Sequence, residues 1–224
     1  MLRHAPGGVA PDARRRLRLV TGAPARLGDP HAGTGELEGA LATFERLGAR
    51  PEAARTQELL GKVETRRTFL FTDIVESTKL LETLGDEKWK RLLARHDELV
   101  REAVAEAGGE IVKQTGDGFF VSFENPKAAI DAAVAIQRTL ASEIVAPDVR
   151  IGAHSGGAFR TEGDYGGQGV HIASRVGAAA KAGEILVSVE TLDGIGTPYR
   201  LSAPRSETLK GLEQPMEVVS VAWR

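Results

Sequence analysis

The run Glu110-Ile111-Val112-Lys113-Gln114-Thr115-Gly116-Asp117-Gly118-Phe119-Phe120-Val121-Ser122-Phe123 constrains the fold more than any other stretch. Two segments rich in β-branched and aromatic residues flank Thr-Gly-Asp-Gly. That pattern predicts a β-hairpin with Asp117 at an exposed tip, between glycines able to take the positive φ of a tight turn. Asp-Gly alone is simply a good turn. Lys113, four positions earlier, and a second carboxylate, Asp73, closing another strand-like run, call for a chemical reading as well.

The flanking pattern supplies the remaining elements. Arg67 to Thr72 reads as a buried strand, and Asp73 to Thr78 turns into a helix that ends at Gly85. A strand feeding a helix N-terminus offers backbone N–H groups to an anion, so Ser77 and Thr78 are candidate phosphate contacts. Asp73 at that point would repel bare phosphate unless a divalent cation lay between them; structurally, Asp73 alone also suits a helix N-cap. A long amphipathic helix, Asp86 to Ala107, carries Trp89, Leu92, Leu93, His96, Leu99, Val100 and Val104 on one side, which makes His96 a core or interface residue. Asn125-Pro126 opens a further helix with Ala129, Ala133, Ile136, Leu140 and Ile144 inward, and Val149 to Phe159 is a strand in which His154 reads as structural. The order β-α-β-β-α-β is the ferredoxin-like pattern, an α+β fold. In that topology the end of strand one and the hairpin tip are neighbours, so Asp73 and Asp117 can share two cations about 3.5 to 4 Å apart.

Ahead of this domain, residues 1–35 are rich in Gly, Ala, Pro and Arg without a sustained period and read as a disordered lead-in, with an anionic docking arm or an Arg-rich transit peptide as alternatives. Residues 36–63 read as a helical hairpin: Leu37, Leu41, Phe44 and Leu47 recur at helical spacing, Gly48 closes the run, and Pro51 opens a second helix. The hairpin resembles the last unit of a tetratricopeptide-type repeat, and one such unit cannot bury its own face. A regulatory partner for these helices is therefore expected among the possible coverings, besides the following domain or a second copy. Residues 64–224 form the main domain.

The 224 residues are 42% hydrophobic with a net charge of −2, so neither nucleic acid nor a lipid surface is the expected partner. No cysteine is present, which excludes disulfides, thiolate zinc sites and cysteine nucleophiles and fits a cytoplasmic protein. No apolar run reaches ~18 residues, and the N-terminus lacks the apolar centre of a signal peptide.

Four motifs in order, Phe71-Thr72-Asp73-Ile74-Val75-Glu76-Ser77-Thr78, Val112-Lys113-Gln114-Thr115-Gly116-Asp117-Gly118, Gly163-Asp164-Tyr165 and Val170-His171-Ile172-Ala173-Ser174-Arg175, resemble the class III adenylate and guanylate cyclases, especially the bacterial adenylate cyclases. The resemblance covers about residues 67–223. It implies two catalytic domains paired head to tail in a homodimer, with each active site shared. Asp73, the Ile74 carbonyl and Asp117 would hold two Mg²⁺ or Mn²⁺ ions from one subunit. Lys113, Asp164, His171, Arg175 and Lys210 (in Thr208-Leu209-Lys210-Gly211) would come from the other. ATP is expected over GTP, because adenine N1 accepts from the Lys113 ammonium and N6 donates to Asp164, whereas guanine N1–H and O6 oppose both. Arg175 and Lys210 would neutralise charge as pyrophosphate leaves.

His171 departs from the pattern, since the family commonly has Asn there. An imidazole still donates a hydrogen bond but is bulkier, so slow turnover with nucleotide binding retained is one expectation. Arg175 follows at i+4, in register. The competing reading is therefore a catalytically weak domain acting as a dimerising, ATP-sensing module. A lysine-bearing Walker loop is absent, Gly167-Gln168-Gly169 is isolated from any strand, and the chain has no Gly-Gly-Asp/Glu-Glu-Phe hairpin of a diguanylate cyclase.

Overall fold

The computed structural model describes residues 30–60, 65–161, 163–196, 199–212 and 214–224. The first 29 residues of the expected lead-in lie outside the described residues. Helix α1, Pro30–Arg46, begins ahead of residue 36, and α2 is Arg50–Leu60. Gly48 takes φ +66° between them, and Ala40, Phe44 and Ala49 form a small cluster with Ala53. Leu47, expected on the inner face, is exposed because it lies past the last turn of α1.

The chain divides into two compact units, one containing this hairpin together with residues 159–162, the other residues 66–158 and 163–224. The larger unit's elements run β1 (Thr65–Ile74), α3 (Ser77–Leu84), α4 (Asp86–Glu106), β2 (Glu110–Thr115), β3 (Gly118–Phe123), α5 (Pro126–Ser142), β4 (Val149–Thr161), β5 (Asp164–Gly166), α6 (Gln168–Ala179), β6 (Ile185–Ser188), a short 3₁₀ turn (Val189–Thr191), β7 (Arg205–Glu207) and β8 (Met216–Ser220). β1 and β4 take their first and last residues, respectively, from the smaller unit.

Among the described residues an eight-stranded sheet has the order β2-β3-β1-β4-β6-β8-β7, with β5 on β4. Its first four strands are the ferredoxin-like set. β3 lies antiparallel to both β1 and β2, whereas β4 and β6 are parallel. Alternate residues of each strand face opposite sides of the sheet. Leu70, Phe119, Val121, Ile151, Ile185 and Val187 therefore enter the main core with α4 and α5, while Phe69, Phe120, Leu186 and Val218 pack towards the α6 side. By the same parity Asp73 and Arg150 fall on the α6 side.

Asn125 caps α5 through Lys127 N–H, with Pro126 in the first turn. The helix ends at Ser142, so Ile144 lies beyond it and is fully exposed, contrary to its expected inward place. α6 approaches β4 at glycines: a Cβ on Gly152 would come within 2.1 Å of Gly177 N, and one on Gly169 within 2.8 Å of the Gly156 backbone.

Candidate active site

The end of β1 and the β2–β3 turn meet because Gly118 has no side chain; a Cβ there would lie 1.9 Å from the Thr72 carbonyl oxygen. Phe119 N–H donates to Thr72 Oγ1 at 3.0 Å and locks the junction, with Thr72 paired to Phe119 in the antiparallel register. The two glycines of the turn thus have different uses. Gly116 supplies positive φ (+72°), whereas Gly118 permits close approach. Asp117 is consequently not an exposed tip: it is half-buried, and its Oδ2 is buried without a hydrogen-bond partner.

Asp73 belongs to β1 and not to a helix cap, since the residue preceding α3 is Glu76, in left-handed conformation with φ 53°. Val75 N–H donates to Asp148 O at 2.9 Å, so this N–H is already engaged within the chain, while Ser77 is half-buried and Thr78 exposed at the start of α3. Burial raises the Asp73 carboxyl above its ordinary pKa, the neighbouring Asp117 carboxyl adds to the rise, and Arg150 opposes it. Arg150 Nε donates to Asp73 Oδ2 at 2.8 Å, Nη2 donates to the same oxygen, and Nη1 reaches Ala178 O at 3.4 Å. A cleft of about 220 Å³ opens here, lined in part by Phe71, Asp73, Thr115, Arg150, Ser174 and Ala178.

Arg150 is the residue that sequence reasoning missed. The available signal was an arginine between Val149 and Ile151 at the start of a buried strand, where an unpaired charge would be costly.

Two carboxylates side by side, one with an unpartnered buried oxygen, fit a divalent cation, and Ile74 follows Asp73 at the same strand end. Among the described residues no three His, Cys, Asp or Glu side chains gather as a ready ligand cluster, so water or substrate oxygens would complete the coordination.

A second constellation is built on Lys113 and Asp164. Lys113 Nζ donates to Asp164 Oδ2 at 2.5 Å, and the lysine's hydrogen bond is the first cause holding the Asp164 carboxyl below its ordinary range; Tyr165 N–H donates to Oδ1 at 2.8 Å. A β-bulge between Ile111 and Lys113 shifts the register so that Lys113 pairs with Phe120 and its ammonium lies 5.8 Å from that ring centroid. Tyr165, buried among Phe69, Phe120 and Ala173, anchors the β5 segment that carries Asp164. His171 and Arg175 are exposed one turn apart on α6. Leu209 packs with Ile172 and Val176 of that helix, which brings exposed Lys210 to the same region. Of the expected site residues Asp73 lines the cleft, whereas Ile74, Ser77, Thr78, Asp117, Lys113, Asp164, His171, Arg175 and Lys210 do not.

His96 and His154 are both buried, as expected of core histidines. His96 Nδ1 lies 3.0 Å from Asp97 Oδ1, and Gln114 Nε2 donates to Asp97 Oδ2 at 2.7 Å, which clamps the hairpin to α4. His154 Nδ1 lies 2.8 Å from Ser188 Oγ.

The profile described as the adenylate and guanylate cyclase catalytic domain matches residues 62–221. An adenylate cyclase of Glutamicibacter nicotianae is 27% identical over 152 residues, 66% of this chain and 38% of its own length. One from Streptomyces coelicolor is 28% identical over 125 residues, 56% and 33% respectively. An uncharacterized protein of Mycobacterium tuberculosis is 30% identical over 146 residues, 65% of this chain and 38% of its own length. The chain thus spans well under half the length of these curated relatives. Among solved structures, the adenylyl cyclase CyaB of P. aeruginosa is 26% identical with a TM-score of 0.62, covering 71% of this chain and 95% of that one. An adenylate cyclase of Trypanosoma brucei, 19% identical with a TM-score of 0.65 over 70% of this chain and 87% of its own, shares the fold.

Proposed function

The chain belongs to the family of adenylate and guanylate cyclase catalytic domains, and we propose that it converts ATP to 3′,5′-cyclic AMP and pyrophosphate at sites shared across a head-to-tail homodimer. The observation that carries the choice of ATP is the Lys113–Asp164 pair, closed at 2.5 Å. A base entering there has to offer an acceptor to the ammonium and a donor to the carboxylate. Adenine N1 and N6 do both, whereas guanine puts the N1–H donor where adenine has its acceptor and the O6 acceptor where adenine has its donor.

Asp73, Asp117 and the Ile74 carbonyl are the proposed ligands of two Mg²⁺ or Mn²⁺ ions. Bound there, the cations would lower the pKa of the ribose 3′-hydroxyl and carry polyphosphate charge. The chain's own groups do the rest. Lys113 and Asp164 orient the adenine, Ser77 and Thr78 at the start of α3 face the phosphates, and Arg175 and Lys210 stabilise charge on the departing pyrophosphate. His171 donates a hydrogen bond towards the ribose. In this shared-site arrangement Lys113, Asp164, His171, Arg175 and Lys210 complete the partner copy's Asp73 cleft.

No helix among the described residues is long and apolar enough to cross a membrane; a cytoplasmic location is part of the proposal. The N-terminal hairpin is proposed to receive a regulatory partner. A nucleotide-sensing module with little turnover is the second reading, favoured by the bulk of His171 at an exposed position on α6.

The test is cyclic nucleotide formation by the purified chain with ATP or GTP, in Mn²⁺ or Mg²⁺. Cyclic AMP that disappears in Asp73→Ala is the expected result. ATP binding without product would transfer the conclusion to the sensing module, and undiminished turnover in Asp73→Ala would remove the two-cation assignment.

A further inference from the structure

The pairing of Asp73 with Arg150 leaves a charge imbalance that the catalytic assignment does not use. Arg150 sends both Nε–H and Nη2–H to one oxygen, Asp73 Oδ2. Asp117 adds a second carboxylate whose Oδ2 is buried and unpartnered. The guanidinium thus bonds Asp73 alone of the two neighbouring carboxylates, and Asp117 stands beside the pair uncompensated. The same guanidinium also touches the Ala178 carbonyl, through Nη1 at 3.4 Å, in the last turn of α6. Carbonyls at a helix C-terminus lack intrahelical partners and favour a cation, so a second seat for the guanidinium adjoins the first.

We propose that Arg150 is a built-in counter-ion of Asp73, which an incoming divalent cation displaces towards the C-terminal carbonyls of α6, so that the nucleotide-free chain holds metal weakly. The proposal rests on the reading of Asp73 and Asp117 as metal ligands. A fixed positive charge a few ångströms from a divalent cation opposes its binding, and once displacement of the guanidinium and solvent screening have removed most of that repulsion, deleting the charge should still tighten binding roughly tenfold. The arrangement gives Arg150 a positioning role. It fixes the Asp73 carboxylate in the empty cleft and limits futile occupancy by metal alone.

The experiment is a titration of nucleotide-free protein with Mn²⁺, following free Mn²⁺ by its electron paramagnetic resonance signal, in wild type, Arg150→Gln, Arg150→Lys and Asp73→Asn, with circular dichroism to check folding. Arg150→Gln is expected to bind about tenfold more tightly than wild type, Arg150→Lys about as wild type, and Asp73→Asn much more weakly. Equal or weaker binding in folded Arg150→Gln overturns the counter-ion role while leaving the metal ligands in place. Unchanged binding in Asp73→Asn overturns the metal reading and the proposal with it. A second measurement needs no variant at the arginine: Mg²⁺ added to wild type should shift the Arg150 Nε–H resonance as its bond to Asp73 breaks, and a resonance that does not move contradicts displacement.

Discussion

Lys113 and Asp164 are each about half exposed, so their ion pair contributes little to stability and is free to open for a base. Replacing Lys113 with Ala should therefore leave the melting temperature nearly unchanged while lowering the ATP-over-GTP ratio of kcat/KM by at least about tenfold, measured by competition between the two nucleotides. Asp117 behaves oppositely. Burial and the adjacent carboxylate raise the pKa of Asp73, so its ionised form costs stability, absent below the ordinary carboxylate pKa and felt as pH rises through the raised one. Asp117→Asn relieves that repulsion and should raise the metal-free melting temperature at neutral pH by roughly 2–4 °C, while abolishing cation-dependent turnover. His154 supplies the acid limit. Burial first, and the charge of Arg66 second, push its pKa from 6.5 to about 4. Glu190 lies 3.4 Å away but is half exposed, so its charge is screened and burial prevails. The neutral imidazole's contribution is complete above 6.5 and is lost as pH falls from there towards 4, on the order of 3 kcal/mol in urea unfolding. His154→Gln should flatten that dependence.

At the scale of elements, glycine contacts decide where the chemistry sits. A methyl group on Gly118 would collide with the Thr72 carbonyl, a backbone atom that cannot step aside, so Gly118→Ala should separate Asp117 from Asp73 and cost about 2–4 kcal/mol in chemical denaturation. Much of this architecture was readable in the chain. The 3.6-residue period of Leu99, Val100 and Val104, the Asn125-Pro126 start and the two apolar runs around Thr-Gly-Asp-Gly report local preferences, and those preferences survive in the fold. The bulge that re-aims Lys113, the helix end that strands Ile144 in solvent and the seat of Arg150 were not readable, because each depends on which strand or helix lies alongside. The paired carboxylates stand between these cases. Topology alone made Asp73 and Asp117 neighbours, but the buried orphan oxygen arises from the depth to which Gly118 lets the turn sink.

At the scale of the whole molecule, the reading makes an isolated chain incomplete, since it assigns base and leaving-group recognition at each Asp73 cleft to the partner copy. Specific activity should then rise with protein concentration until the dimer saturates, an outcome measured by dilution at fixed ATP. The central claim is met most directly by mixing two inactive variants, Asp117→Asn and Arg175→Ala, and assaying cyclic AMP. Each homodimer carries the same lesion in both sites, whereas the mixed dimer gathers both lesions into one site and leaves the other whole. The account predicts two silent variants and an active mixture, with at most about a quarter of wild-type activity if subunits exchange at random in equal amounts. A silent mixture of folded, exchanging subunits, beside an active wild type, would contradict it.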